Sequence, residues 1–165
     1  MFIWLGSALS TPTVEELRET IRGPAERSGF IAAVILFGSI ARGEAGEDSD
    51  IDLFVITRDL GGLPRYRRTL VVYEALRPLL RAFRRDITVV DMELGDFLAL
   101  RTIRPLMLDI IWDGILLFDR TGGLVADRLG RLKEGIRRSG LRRYRVGGCW
   151  TWRLPRPGEK VVIEP

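Results

Sequence analysis

Hydrophobic and polar positions change their period several times along this chain, and each change marks an element. Thr11 or Thr13 can cap a helix running to about Arg27, with Glu15 and Glu16 suited to its first turn. Phe30 to Phe37, "FIAAVILF", is continuously apolar and partly β-branched, which suits a strand covered on both faces. Gly38-Ser39 ends it, and "SIARGEA" offers one or two helical turns before a second strand, Asp50 to Thr57. After a Gly-Gly-Leu-Pro break at 61–64, the apolar residues Val72, Tyr73, Leu76, Leu79, Leu80 and Phe83 recur at helical spacing. Pro78 is expected to kink or divide that helix. Asp86 to Met92, "DITVVDM", reads as a third strand.

Helical segments follow from Leu94 to Gly114, with a break before Pro105. Ile115 to Asp119 is a short strand, and Thr121 to Arg138 is a helix containing several glycines. The last stretch, "YRVGGCWTWRLPRPGEKVVIEP", reads as an extended tail. Helices and strands alternate without a repeat or a low-complexity linker, so one α/β or α+β sheet with helices against it is expected. The expected divisions are an N-terminal extension (1–11), a core domain (12–138) and a basic, Trp-containing tail (139–165).

Composition narrows the chemistry. At 165 residues, 46% of them apolar and 29% charged, the chain is long enough to bury a real core. No apolar run reaches a membrane span, and "MFIWLGSALS" lacks the basic start of a signal peptide, so a cytoplasmic protein is expected. There is no His, Asn or Gln, and Cys149 is the single cysteine. That excludes an intrachain disulfide, a His-based triad and an ordinary zinc site. Few thermolabile residues fit a thermophile, although 24 Arg among 26 basic residues fit a biased genome equally well. The net charge of +4 favours anionic partners without choosing among them.

Asp50 and Asp52 are what an apolar strand does not otherwise carry. Residues two apart in a strand point to the same face, so the two carboxylates project together while Ile51 and Leu53 face the other side. Two close carboxylates repel unless a cation joins them, and hard oxygen ligands suit Mg²⁺ held jointly with substrate phosphates. Asp86, opening the next strand, can add a third oxygen. Gly38 allows a sharp turn, Ser39 offers a hydroxyl and free N–H groups at a helix start, and Arg42 can pair with a phosphate oxygen. Each feature alone has a structural explanation: a commonplace Gly-Ser turn, an acidic loop, an Asp86–Arg85 pair. Their combination is harder to dismiss.

"GSIARGEAGEDSDID" resembles the signature of the DNA polymerase β-like nucleotidyltransferases: Gly-Ser, ten residues, then Asp-x-Asp. The short length and the "ARG" after Gly-Ser look most like the minimal nucleotidyltransferases (MNT proteins). "DITVVDM" is similar to their third-carboxylate strand, and "IIWDGILLFDR" to their final strand segment. The resemblance spans residues 12–120. It implies the small nucleotidyltransferase fold, a short mixed sheet with helices mainly on one face. It also implies that Gly38, Ser39 and Arg42 bind the nucleotide, with Ser39 on the triphosphate. Asp50, Asp52 and Asp86 would be the catalytic residues, holding two Mg²⁺ ions, and ATP the substrate. Where relatives often carry an apolar residue ahead of the third carboxylate, this chain has Arg85, which makes Asp91 the reserve for Asp86.

MNT proteins commonly act as antitoxins that adenylylate a Tyr of a helical HEPN-type toxin, so the resemblance points to a protein acceptor. A small-molecule acceptor and a non-catalytic, antitoxin-like binder are the alternatives; roughly 45 residues beyond Arg120 leave little room for a separate substrate-binding module. The C-terminal cluster of Arg137, Arg138, Arg142, Arg143, Arg145, Arg153 and Arg156 with Trp150 and Trp152 can bind single-stranded nucleic acid. The same residues also suit a tail packed onto the domain through its Trp side chains, or a protein interface.

Overall fold

The computed structural model describes residues 11–153 together with 161–162, so all of the expected N-terminal extension except Thr11 lies outside the described residues. Helix α1 (Val14–Ser28) starts at Thr13, whose hydroxyl accepts the Glu16 N–H while the Glu16 carboxylate accepts the Thr13 N–H. This reciprocal cap selects Thr13 over Thr11. Strands β1 (Ile31–Phe37), β2 (Ile51–Thr57), β3 (Ile87–Glu93) and β5 (Ile115–Asp119) form a sheet of order β3-β2-β1-β5. The β2/β3 pair is parallel and the β1/β2 and β1/β5 pairs are antiparallel.

Helices cover both faces of this sheet, which corrects the expectation that they lie mainly on one. Val34 and Leu36 of β1 pack with α1 and α3 (Arg65–Phe83). Ala33, Ile35 and Phe37 pack on the other side with α4 (Leu94–Leu98), α5 (Pro105–Asp113) and α6 (Leu124–Arg138). Every residue of β1 is buried, as its unbroken apolar run requires. A register shift between Ile31 and Ala33 lets Ala32 and Ala33 join the same core in succession.

Two local readings change. Helix α3 runs undivided through Pro78, which is exposed; the Glu74 carbonyl that loses its partner there lies on the same exposed side. The supposed extended tail contains a hairpin, β6 (Arg142–Val146) and β7 (Cys149–Arg153), turning at Gly147-Gly148 with φ of 55° and 84°. Two consecutive positive φ values are what a tight hairpin turn needs, and glycine adopts them without strain. Short strands β4 (Thr102–Ile103) and β8 (Val161–Val162) pair separately. Among the described residues no helix is long and apolar enough to cross a membrane.

Candidate active site

Register brings the sequence motifs together at one end of the sheet. Phe37, the last residue of β1, lies opposite Asp52 in β2, so the Gly38-Ser39 turn begins beside that carboxylate. Gly38 has φ of 75°, and a Cβ built on it would stand 2.0 Å from Asp52 Oδ2. Glycine is required there twice over, for the left-handed backbone and for the close approach. The short helix α2 (Gly38–Ala41) follows, and its first N–H groups have no partner within the helix. Ser39 is half-buried, and its carbonyl accepts the Glu44 N–H at 2.9 Å, which folds the loop back.

Asp52 and Asp50 project from the start of β2 on the face of Phe54 and Ile56, as strand alternation demands. Burial raises the Asp52 pKa first, and the neighbouring Asp50 charge raises it further. The Thr88 hydroxyl and the Arg42 charge act in the opposite direction without cancelling the shift. Thr88 lies opposite Asp52 in β3, and its Oγ1 is 3.5 Å from Asp50 Oδ2. A half-buried carboxylate held against a second one and short of positive charge fits a divalent cation, and oxygen donors of this kind fit Mg²⁺.

Asp86 immediately precedes β3. Its carbonyl accepts the Ile51 N–H at 2.9 Å, and alternation puts it on the face of Thr88. Among the described residues, no three acidic side chains gather closely enough to form a metal-ligand cluster, so the carboxylates brought together are the Asp50–Asp52 pair. Asp91, the reserve, is ruled out by its position. It is buried on the opposite face, where it pairs with Arg68 and accepts the Thr69 hydroxyl at 2.5 Å.

Arg42 already has protein partners. Its Nε donates to Glu44 at 2.8 Å and one terminal nitrogen to Asp113 Oδ2 at 3.0 Å. Burial disfavours its charge, but the two carboxylates outweigh burial and hold Arg42 more firmly protonated than an ordinary arginine. Arg85, suggested as a partner for Asp86, is buried and donates to the carbonyls of Gly46 (3.1 Å) and Ser49 (2.7 Å). It thereby fastens the loop that delivers Asp50. Thr88 and Asp113 are the site neighbours that sequence reasoning missed. For Thr88 the signal was its parity with Asp86, and for Asp113 it was a carboxylate closing the apolar α5 just ahead of Gly114.

A sharp glycine turn set against a carboxylate pair at one end of a mixed, two-sided sheet is the arrangement expected of a nucleotidyltransferase. The Polymerase beta, Nucleotidyltransferase family model matches residues 19–121, and the chain belongs to that family. It is 34% identical over 110 residues to a Methanocaldococcus jannaschii protein named "Putative protein adenylyltransferase MJ1305", covering 66% of this chain and 71% of that one. Solved structures with similar chains include a toxin–antitoxin complex with AMP-PNP (17% identity, TM-score 0.47, 73% of this chain and 90% of that one). Another is the tri-AMPylated Shewanella oneidensis HEPN toxin with its MNT antitoxin (14%, TM-score 0.44, 76% and 92%).

Proposed function

We propose that this protein transfers AMP from ATP to a hydroxyl of a protein partner, a Tyr of a HEPN-type helical toxin, and so acts as an antitoxin. The observation that carries the reading is the contact between Gly38 and Asp52, which joins a turn able to receive phosphates to the Asp50–Asp52 pair. The protein acceptor is supported by the name of the Methanocaldococcus relative and by the MNT-like motif.

In the reaction, the acceptor oxygen attacks the α-phosphorus, the bond to the bridging oxygen of pyrophosphate breaks, and pyrophosphate leaves. Ser39 and the first N–H groups of α2 bind phosphate oxygens, and Arg42 adds a charge-assisted contact. Asp50 and Asp52 would hold two Mg²⁺ ions, with Asp86 completing the set only if its side chain turns toward the pair from the start of β3, and the ions would supply charge neutralisation for the leaving pyrophosphate and activation of the attacking hydroxyl. With no His in the chain, the acceptor proton passes to a carboxylate, for which Asp86 is placed at the open end of β3, or to water.

The test is intact-mass spectrometry of a cognate HEPN-like partner mixed with this protein and Mg-ATP. The partner is expected to gain whole AMP units with the wild type and none with Asp52→Ala. A partner neutralised equally by both, without a change of mass, would replace this reading with a non-catalytic binder.

A further inference from the structure

Between α2, α5 and the C-terminal hairpin lies an ion-pair cluster that transfer chemistry alone does not call for. Asp113, at the end of α5, has a side chain only 6% exposed and receives two arginines. Arg42 reaches it from the α2 side, and Arg143 of β6 grips both of its oxygens, at 2.5 and 2.7 Å. Arg143, 9% exposed, also donates to Asp109 at 3.1 Å, and the Trp152 indole donates to the same Asp109 oxygen at 2.9 Å. Trp152 packs edge-on to Trp112 of α5, with ring centres 5.5 Å apart. The hairpin is therefore fixed to α5.

Stability explains such a cluster poorly. Removing two charges from water costs about as much as their attraction returns, and apolar side chains of similar volume serve a core as well or better. What a buried pair gives is a defined geometry, because a bidentate guanidinium–carboxylate contact tolerates little rotation. At Arg42 the two holders differ. Glu44 is a third exposed and is shared with Arg145 and with the Trp150 indole of the hairpin, while Asp113 is buried and gripped from behind. A triphosphate can displace the exposed holder. It cannot displace the buried one without uncovering Arg143.

We propose that Asp113 is a positioning residue for Arg42, held in its turn by Arg143, so that the C-terminal hairpin sets the direction in which Arg42 meets the triphosphate. This rests on the reading of Arg42 as a phosphate contact given above. The hairpin's inward face, with Arg143 and Trp152, is then part of the nucleotide site at one remove, without touching the nucleotide.

Calorimetric titration of the full chain with Mg-ATP tests this without needing the acceptor. Asp113→Asn is expected to weaken binding about tenfold, the scale of one well-placed charge-assisted hydrogen bond. Arg143→Lys, which keeps the charge and loses the fork, is expected to weaken it about threefold. Asp113→Glu should recover part of the loss. In an Arg42→Ala background neither substitution should weaken binding further, a result that a merely structural role for Asp113 would not produce. Should Asp113→Asn fail to fold, Arg143→Lys alone and in the Arg42→Ala background carries the test. Wild-type affinity in Asp113→Asn and Arg143→Lys, with Arg42→Ala impaired, overturns the positioning role and leaves the phosphate reading intact. Undiminished losses in the Arg42→Ala background overturn it as well. Wild-type affinity in Arg42→Ala removes the phosphate reading itself, and the positioning role with it.

Discussion

Asp52 and Asp91 stand on neighbouring strands of one sheet and face opposite ways. Asp91 looks into the α1/α3 side, where Arg68 and Thr69 satisfy its carboxylate. Asp52 looks to the other side, where its neighbours are Asp50, the Gly38 turn and the Thr88 hydroxyl, and where its pKa is raised by burial and by the Asp50 charge. One carboxylate is paired and structural; the other is left short of positive charge, beside the turn proposed to receive the nucleotide. The difference lies in what each strand face offers and not in residue type or depth alone.

The largest expected effects separate the two. Asp52→Ala is expected to lower AMP transfer by about 10³-fold or more, near 4 kcal/mol of transition-state stabilisation, with the fold intact. Asp91→Ala leaves Arg68 largely buried and unpaired, and is expected to cost about 3 kcal/mol of stability with near-normal transfer per folded molecule. Transfer rates alongside urea unfolding curves for both variants check this. If Asp91→Ala lost transfer while staying folded, the division between the two faces would fail.

Next in size is Gly38→Ala. The added Cβ falls on Asp52 Oδ2, and φ of 75° strains any L side chain. The carboxylate must move, because the glycine backbone is tied to the buried end of β1. Expected is a loss of about 10²-fold in transfer, the scale of a catalytic group misplaced by an ångström. Destabilisation of about 1 kcal/mol should accompany it. Gly43→Ala is the control: it shares a positive φ but has nothing within 4 Å of the added Cβ, so it should show the strain without the loss of transfer. Single-turnover rates and unfolding midpoints for the two variants distinguish clash from strain.

Much of this comparison was legible from residue order, because strand parity is a strict rule. Asp50 and Asp52 share a face with each other and not with Ile51 and Leu53, and the Gly-Ser turn marked where they would meet phosphate. The same parity, applied from Asp86, puts Thr88 on the site's face and Asp91 on the opposite one. Asp91 is thus legible as structural from its position, an odd number of residues beyond Asp86. The hairpin has its signal too, Gly-Gly between "RRYRV" and "CWTWR", although the density of Arg there also suits a solvated tail. What periodicity does not encode is which carboxylate each arginine chooses. Arg42 and Arg143 find Asp113 and Asp109 through packing of α5 against the sheet, and Arg85 finds the carbonyls of the loop before β2, all long-range outcomes. Gly114 contributes to that packing, since a Cβ there would meet the Ile110 carbonyl at 2.3 Å and Ile35 at 2.8 Å.

The smallest expected effect is the most direct measure of how unsatisfied Asp52 is. A carboxyl whose folded pKa lies above its unfolded value binds its proton more tightly in the native state. The protein is therefore favoured with Asp52 protonated, below the unfolded value of 3.8, and loses that contribution as pH rises through the raised folded pKa. Near neutrality the ionised Asp52 is consequently a net burden on the metal-free protein. Asp52→Asn, which keeps the shape and drops the charge, should stabilise it there. The gain is expected to stay below about 1 kcal/mol, because water still screens a half-exposed pair. It should shrink as pH falls below the raised pKa, where wild-type Asp52 is itself neutral. Glu44 behaves oppositely: held low chiefly by the Arg42 hydrogen bond, it contributes above its unfolded value of 4.5 and is lost as acid protonates it. Mg²⁺ should raise wild-type stability near neutrality and do so less in Asp52→Asn, so the order of the two proteins narrows or reverses with the ion present. Urea midpoints across pH 4–8, with and without Mg²⁺, measure this. A metal-free Asp52→Asn protein less stable than wild type at pH 7 would mean that Asp52 is as well partnered as Asp91, and the contrast between the two faces would not hold.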